Sequence, residues 1–157
     1  MTSRRARTRR TERGAAAVEF ALVAPLLLML VFGIISYGYM LSFRQALSQA
    51  AAEGARAAAV STVATSRESD AVKAVNEGLR SYGVTCAAGK LVKGSAQVGT
   101  CAVSAPASCA GHGTAPPLCL SVTVDYAYRA HPLTPAFPGL GTVLPDRLAY
   151  TSSARVS

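Results

Sequence analysis

The feature that most constrains this chain is an uncharged run of 24 residues, from Phe20 to Phe43. As an α-helix, with a rise of about 1.5 Å per residue, the run would be about 36 Å long, enough to cross a hydrocarbon core of about 30 Å. A cleavable secretory signal has a shorter apolar region, usually of about 7 to 15 residues, followed by a small-residue cleavage site. Because this run is longer and continues into SFRQALSQAAAEG, the sequence predicts a membrane-spanning helix.

Positive charge is concentrated before this helix. The net charge is +8, and the first 13 residues hold one acid, Glu12, and six arginines. These are Arg4, Arg5, Arg7, Arg9, Arg10 and Arg13. A basic block beside an apolar run is typical of a cytoplasmic flank, so we expect a single-pass protein of the cell membrane with its C-terminal part outside. A DNA-binding arm is the alternative, but no groove-reading motif accompanies the arginines, and we expect no nucleic acid among the partners.

The predicted helix extends beyond the membrane, from about Ala15 to Val60. The segment RQALSQAAAEGARAAAV is rich in strong helix formers, and small or apolar residues recur at steps of three and four, which predicts one buried face. That face consists of Phe43, Leu47, Ala50, Ala51, Gly54 and Ala58. Pro25 lacks an amide hydrogen and clashes with the carbonyl four positions earlier, so a kink or local melting is expected there.

The remainder of the chain predicts a small α+β domain. An apolar stripe that includes Ala71, Val75 and Leu79 predicts a second, amphipathic helix, with Ser69 as the expected N-cap and Gly83 as the expected stop. CLSVTVDYAY alternates and predicts a strand, KLVKGSAQVGTCAVSA predicts one or two shorter strands, and RLAYTSSARV predicts a strand that closes a small sheet. SCAGHGTAPPL and HPLTPAFPGLGTVLP predict loops. We therefore expect the α+β class: a long transmembrane helix, a second helix and an antiparallel, β-rich C-terminal domain.

All four cysteines follow the long helix: Cys86, Cys101, Cys109 and Cys119. An even count in a small exported domain predicts two disulfides. Three pairings are possible, and the sequence does not choose among them. A zinc site with His112 and His131 is a weaker interpretation, because the chain has no C-x-x-C pair.

No pattern predicts catalysis. There is no G-x-S-x-G elbow and no S-x-x-K in a suitable context, and the glycine pairs GLG and GHG are too isolated to indicate a phosphate-binding loop. Only Asp125 and Asp146 are acidic after Glu77, so a paired-carboxylate mechanism has few candidates. We expect a protein that is not an enzyme and that has no cofactor and no metal.

Glu19 is an acid at the start of the apolar run. A carboxylate in a membrane-embedded helix costs up to several kcal/mol, less near the end, and such residues are functional candidates. The alternative is that Glu19 lies solvated at the level of the headgroups and only caps the start of the helix.

The residues around Glu19 resemble a processing site. RGAAAVEFALVAPLLLMLVFGIISYGYML, followed by RQALSQAAAEGARAAA, is similar to the N-terminus of type IV prepilins, and in particular to the TadE-like proteins of tight-adherence (Flp-type) pilus systems. In that family a basic leader ends in glycine, a prepilin peptidase cuts after it on the cytoplasmic side, and glutamate stands fifth in the mature chain. The resemblance implies a cut between Gly14 and Ala15, with Glu19 fifth. Flp-type sites usually carry tyrosine next, where this chain has Phe20.

The resemblance implies a role for these residues. Cleavage would expose the Ala15 amine, and an α-amino group with an ordinary pKa of about 8 is largely cationic. An unpaired charge in a poorly hydrated place is costly, so Glu19 is expected to pair with the amine of a neighbouring subunit and set the axial register. Glu19, Phe20 and Pro25 become the candidate assembly residues, with Pro25 loosening the helix so that the subunit can leave the bilayer.

The expected organisation has three parts: a basic cytoplasmic leader at 1–14, a transmembrane and extended helix at 15–60, and an extracytoplasmic α+β domain at 61–157. The expected function is that of a minor pilin or pseudopilin, with the membrane, other pilin subunits, the pilus assembly machinery and the prepilin peptidase as partners. Two alternatives remain. A bitopic envelope protein would keep its leader and use its disulfide-stapled domain to bind a ligand or partner protein. A secreted hydrolase with a long signal would lose the whole apolar segment.

Overall fold

The computed structural model describes residues 8–109, 117–134 and 144–156, with side chains from residue 14 onward. The chain divides into two compact units, Met1–Gly38 and Tyr39–Ser157. The first helix, α1, is Thr8–Val60 and has 53 residues. It begins before the expected Ala15 and continues through Pro25, so the local melting considered for that position does not occur. A proline removes only one helical hydrogen bond, and the good helix formers on both sides maintain the rest.

Within the second unit, α1 buries one face. All six residues of the predicted face are buried, which confirms the three- and four-residue spacing. Met40 and Ala55 extend the same face. This part of α1 is alanine-rich on its buried side, so neighbouring elements can approach its backbone closely.

The second helix, α2, is Arg67–Leu79 and buries Ala71, Val75 and Leu79, as its apolar stripe predicted. The expected N-cap at Ser69 is wrong. Ser66 occupies the N-cap position, and the hydroxyl of Ser69 instead donates to the carbonyl oxygen of Ser66 at 2.8 Å. A short 3-10 turn precedes the helix, so its first turn begins earlier than the apolar stripe does. A second 3-10 turn, Arg80–Tyr82, follows α2 and ends at Gly83 with φ 66°, which confirms the expected stop.

In the described part of the chain, six antiparallel strands form one sheet. They are β1 Val84–Ala87, β2 Lys90–Lys93, β3 Ala96–Val103, β4 Ala107–Ser108, β5 Leu118–Tyr126 and β6 Leu148–Val156. β1, β2 and β3 form a meander, and β5 pairs with β3, with β4 and, along its whole length, with β6. The strands predicted from the three segments are β2 and β3, β5, and β6. β1 and β4 were not expected, because they are too short to show a period.

β3 and β5 approach closely at Gly99. A Cβ atom at Gly99 would lie 2.0 Å from the carbonyl oxygen of Asp125, a distance that no side chain permits. The β2–β3 register shifts beside this point, between Leu91 and Val92, which is the signature of a bulge. Glycine is therefore required for the pairing of these two strands.

The sheet contributes the other side of the core. Leu120, Val122, Val124 and Tyr126 are buried, as the alternation of β5 predicted. The rings of Phe43 and Tyr126 lie 4.8 Å apart, edge to face. The hydroxyl of Tyr126 donates to the carbonyl oxygen of His131 at 2.9 Å. Burial, helped by nearby Tyr128, raises the pKa of Tyr126 to about 12.

Two disulfides resolve the three possible pairings: Cys86 bonds Cys101, and Cys109 bonds Cys119. His112 and most of both predicted loops, at residues 110–116 and 135–143, lie outside the described residues. His131 lies in the segment after β5, where its backbone amide donates to the carbonyl of Ala127 at 3.0 Å.

Candidate membrane and assembly site

The part of α1 that precedes Tyr39 exposes its apolar side chains. Leu22 is 76% exposed, whereas Leu47 in the second unit is fully buried. The exposed set comprises Val18, Phe20, Leu22, Val23, Leu26, Leu27, Leu28, Met29, Leu30, Val31, Phe32, Ile34 and Ile35. Among the described residues, Gly14–Val60 is the one helix long and apolar enough to cross a membrane, and none of its most apolar 18 residues is buried. An apolar surface of this extent marks contact with a membrane or with other proteins.

The predicted processing and assembly residues all lie on this exposed stretch. Gly14, Ala15, Glu19 and Phe20 are exposed, and a Cβ atom at Gly14 would meet nothing within 4 Å. Ala15 and Glu19 are four residues apart in a helix, so both face the same side. The expected new amine is the backbone nitrogen of Ala15, about one helical turn before Glu19. Pro25 also lies on the exposed stretch, further along the helix.

Four carboxylates of the second unit are engaged in surface ion pairs. Asp125 lies 2.6 Å from Arg147, and Asp146 lies 2.7 Å from Arg129. In the two helices, Glu53 pairs with Arg56 and Glu77 with Arg80, one turn apart in each case. These acids contribute to the surface of the domain.

The two helices of the second unit border a shallow groove of about 360 Å³. Its lining consists of Gln49, Ala50, Glu53, Ala74, Glu77 and Gly78. The described residues contain no group of three or more His, Cys, Asp or Glu side chains arranged to hold a metal ion. The groove therefore presents two ion-paired carboxylates and small side chains, with no nucleophile and base in contact.

An aromatic cluster at the start of the second unit was missed by the sequence analysis. The rings of Tyr39 and Tyr82 lie 5.7 Å apart, edge to face, and Phe43 lies 4.9 Å from Tyr82. The hydroxyls of Ser42 and Tyr82 are 2.7 Å apart and hydrogen-bonded. Tyrosines at the end of an apolar run are typical of a membrane interface, and this signal could have drawn attention to Tyr39. Its partner Tyr82, in the 3-10 turn after α2, could not be found without the fold.

Residues 14–56 match the family model described as TadE-like protein. No curated protein and no solved structure matches the chain. The family match covers the exposed stretch of α1 and most of the buried face that follows. It indicates a protein associated with the membrane and with a tight-adherence pilus system, and α1 is the candidate single membrane span. Residues 14–56 are therefore identified as a TadE-like segment, the resemblance that the motif around Glu19 had indicated.

Proposed function

We propose that this chain is a minor pilin or pseudopilin, a membrane-anchored structural subunit that helps to initiate, cap or decorate a tight-adherence pilus. The observation that supports this most strongly is that the family match and the exposed apolar helix cover the same part of the chain. The TadE-like match begins at Gly14, and the helix that follows exposes apolar residues all around and carries a single acid, Glu19, in its first turns. A helix of this kind can lie in lipid and can also pack against the same helix of a neighbouring subunit.

Processing is the first step of the proposed mechanism. The basic segment stays in the cytoplasm, where a prepilin peptidase cuts between Gly14 and Ala15. Hydrolysis of this peptide bond leaves a carboxylate on Gly14 and an ammonium group on Ala15. Removal of the leader also removes five net positive charges from the helix terminus, since the leader carries six arginines and one acid, Glu12. The remaining terminus can then enter an apolar bundle.

Pairing is the second step. In a bundle of such helices, the Ala15 ammonium and Glu19 are the only charges among residues 15–43. Each is costly to leave unpaired in a poorly hydrated environment, so each subunit is drawn to the axial position at which its charge meets that of a neighbour. Pro25 leaves the carbonyl of Ala21 without a helical donor and weakens the helix at one point. That weakness lowers the cost of bending as the subunit leaves the bilayer.

The second unit is the external part of the subunit under this proposal. Two disulfides suit an oxidising compartment outside the cytoplasm. Its ion-paired acids and closed core suit a structural rather than a catalytic role. Its partners are other pilin or pseudopilin subunits and the assembly machinery.

Replacement of Glu19 tests the proposal. In the native host, Glu19→Ala and Glu19→Gln should leave the protein in the membrane but lower its incorporation into sheared pilus material by about tenfold or more, as expected for loss of one buried charge pair. Glu53→Ala is the matched control, because Glu53 is an exposed acid on the same helix that pairs with Arg56 in its own chain. Normal incorporation of both Glu19 variants would remove the register mechanism. Normal incorporation together with an uncut leader would favour the bitopic envelope protein instead.

A further inference from the structure

We propose that the folded unit Tyr39–Ser157 rests on the outer surface of the bilayer and binds anionic lipid headgroups. The contact is made by the Tyr82 edge, which we define as Tyr39, Arg80, Tyr82 and Lys93. The inference rests on the proposed membrane span and adds a lipid contact made by the folded domain itself.

The depth of Tyr39 in the bilayer follows from the number of residues between Glu19 and Tyr39. A helix crosses the hydrocarbon core in about 20 residues. If Glu19 lies at the inner headgroup level before assembly, about 20 further residues end at Tyr39. The run without charge ends soon after, and the next charged residue is Arg44. Tyr39 therefore lies at the outer interface, where tyrosine is enriched because its ring is apolar and its hydroxyl is polar.

Tyr82 lies at the same depth because it contacts Tyr39. Their ring centroids are 5.7 Å apart, and the hydroxyl of Tyr82 is 2.7 Å from that of Ser42, less than one helical turn beyond Tyr39. The headgroup region on each side of a bilayer is about 5 to 7 Å thick. Two side chains in contact at this level cannot be separated by a layer of bulk water. The end of α2 and the turn after it are therefore in the headgroup region.

Two cationic residues, Arg80 and Lys93, lie close to Tyr82 along the backbone or across the β1–β2 pairing. The side chain of Arg80 is 78% exposed, in the same 3-10 turn as Tyr82. Lys93 is exposed at the end of β2, where it pairs with Val84, two residues after Tyr82. Glu77 lies 3.4 Å from Arg80 and offsets part of its charge. Each Lys or Arg near an anionic leaflet contributes attraction worth about fivefold in binding.

The composition of this edge suits headgroups rather than an apolar partner. Among the described residues of the second unit, the large exposed apolar ones are Tyr39, Leu41, Val60, Val63 and Leu118. Val60 and Val63 follow the far end of the α1 stripe, and Leu118 begins β5. Arg80, Tyr82 and Lys93 instead combine an amphipathic ring with two cations, which is the chemistry that lipid phosphates bind.

Hydrogen exchange on the full chain tests the proposal. The protein is reconstituted in vesicles of phosphatidylethanolamine with phosphatidylglycerol, and exchange of the amides at 80–84 and 93–96 is compared with that in zwitterionic detergent micelles. We expect exchange about fivefold slower or more in the vesicles, with most of the difference lost at 1 M salt because the Debye length falls to about 3 Å. Amides at 86–89, at the other end of the β1–β2 hairpin, should exchange equally in both.

Two pairs of matched variants locate the contact. Arg80→Glu should lose the vesicle-dependent slowing, whereas Arg56→Glu should keep it, although both arginines are exposed and pair with a glutamate three residues earlier. Lys93→Glu and Lys90→Glu form the second pair, from opposite ends of β2. Each variant is compared with itself in micelles, so a local loss of stability cancels.

Insertion is checked on the same samples by resistance to alkaline extraction. Protein that is inserted but exchanges equally in vesicles and micelles would overturn the headgroup contact and leave the assembly function standing. Slowing that is also lost in Arg56→Glu and Lys90→Glu would overturn the assignment to the Tyr82 edge. Protein that is extracted would refute the membrane span, and with it both proposals.

Discussion

The two parts of α1 place opposite demands on their surroundings. Before Tyr39 the helix exposes its large apolar side chains, whereas after Tyr39 it buries a narrow stripe and exposes polar residues such as Gln45 and Gln49. One continuous helix therefore has two parts whose apolar side chains have different surroundings. The second part finds its apolar environment in the sheet of its own chain. An exposed apolar surface such as that of the first part marks contact with a membrane or with another protein. Substitutions in the buried stripe should therefore lower the free energy of unfolding of the second unit more than substitutions before Tyr39.

The largest difference is expected between two phenylalanines of the same helix. Phe43 is fully buried against Tyr82, Tyr126 and Tyr128, whereas Phe20 is 71% exposed. Phe43→Ala should lower the free energy of unfolding of the second unit by about 3 to 5 kcal/mol. Phe20→Ala should change it by less than about 0.5 kcal/mol. Denaturant unfolding in detergent, followed by tyrosine fluorescence, measures both effects. Equal effects would contradict the difference in burial between Phe43 and Phe20.

Removal of either disulfide should lower the stability of the second unit alone. Cys86 and Cys101 close a loop with a sequence separation of 15, so replacing both by alanine should cost about 2 to 4 kcal/mol. The pair Cys109 and Cys119, with a separation of 10, should cost slightly less. Unfolding midpoints of the two double variants give the order. A loss of membrane insertion in either variant would show that the first part of α1 depends on the fold of the second unit.

Two glycines of α1, one in each part of the helix, should also differ in their tolerance of alanine. A Cβ atom at Gly54 would lie 2.8 Å from a methyl group of Val75, whereas one at Gly38 would meet nothing within 4 Å. Gly54→Ala should therefore destabilise the second unit by about 1 to 3 kcal/mol through overpacking. Gly38→Ala should carry no such cost, because alanine is the better helix former. Thermal unfolding monitored by circular dichroism distinguishes the two, and a neutral Gly54→Ala would mean that α1 and α2 can move apart freely.

The smallest effect appears only at alkaline pH. Tyr126 has its pKa raised by burial from the ordinary 10 to about 12, so its neutral form stabilises the folded state fully below pH 10. As the pH rises from 10 to 12, the unfolded chain ionises and the folded one does not, and the free energy of unfolding falls by about 1 kcal/mol per pH unit. Tyr126→Phe should remove this part of the slope, as urea titrations at several pH values would show. An unchanged slope would mean that water reaches the Tyr126 hydroxyl.

The sequence predicted the elements that have a long or regular period. The apolar run, the stripe from Phe43 to Ala58 and the alternation of β5 each repeat often enough to indicate one structure. β1 and β4 are too short for that, and the N-cap at Ser69 was wrong because Ser66, one 3-10 turn earlier, occupies the position. The disulfide pairing depends on strand register. The motif around Glu19 indicated the TadE-like segment at residues 14–56. The contact between Tyr39 and Tyr82 joins residues 43 positions apart, which no local pattern records.

The intact mass of the protein from native membranes shows whether the leader has been removed. The account predicts a chain that begins at Ala15, with the 14 leader residues absent and both disulfides formed. Such a chain carries the ammonium group that Glu19 is proposed to meet on a neighbouring subunit. A native chain that retains its arginines would lack that group, and the exposed helix would then serve as a plain membrane anchor.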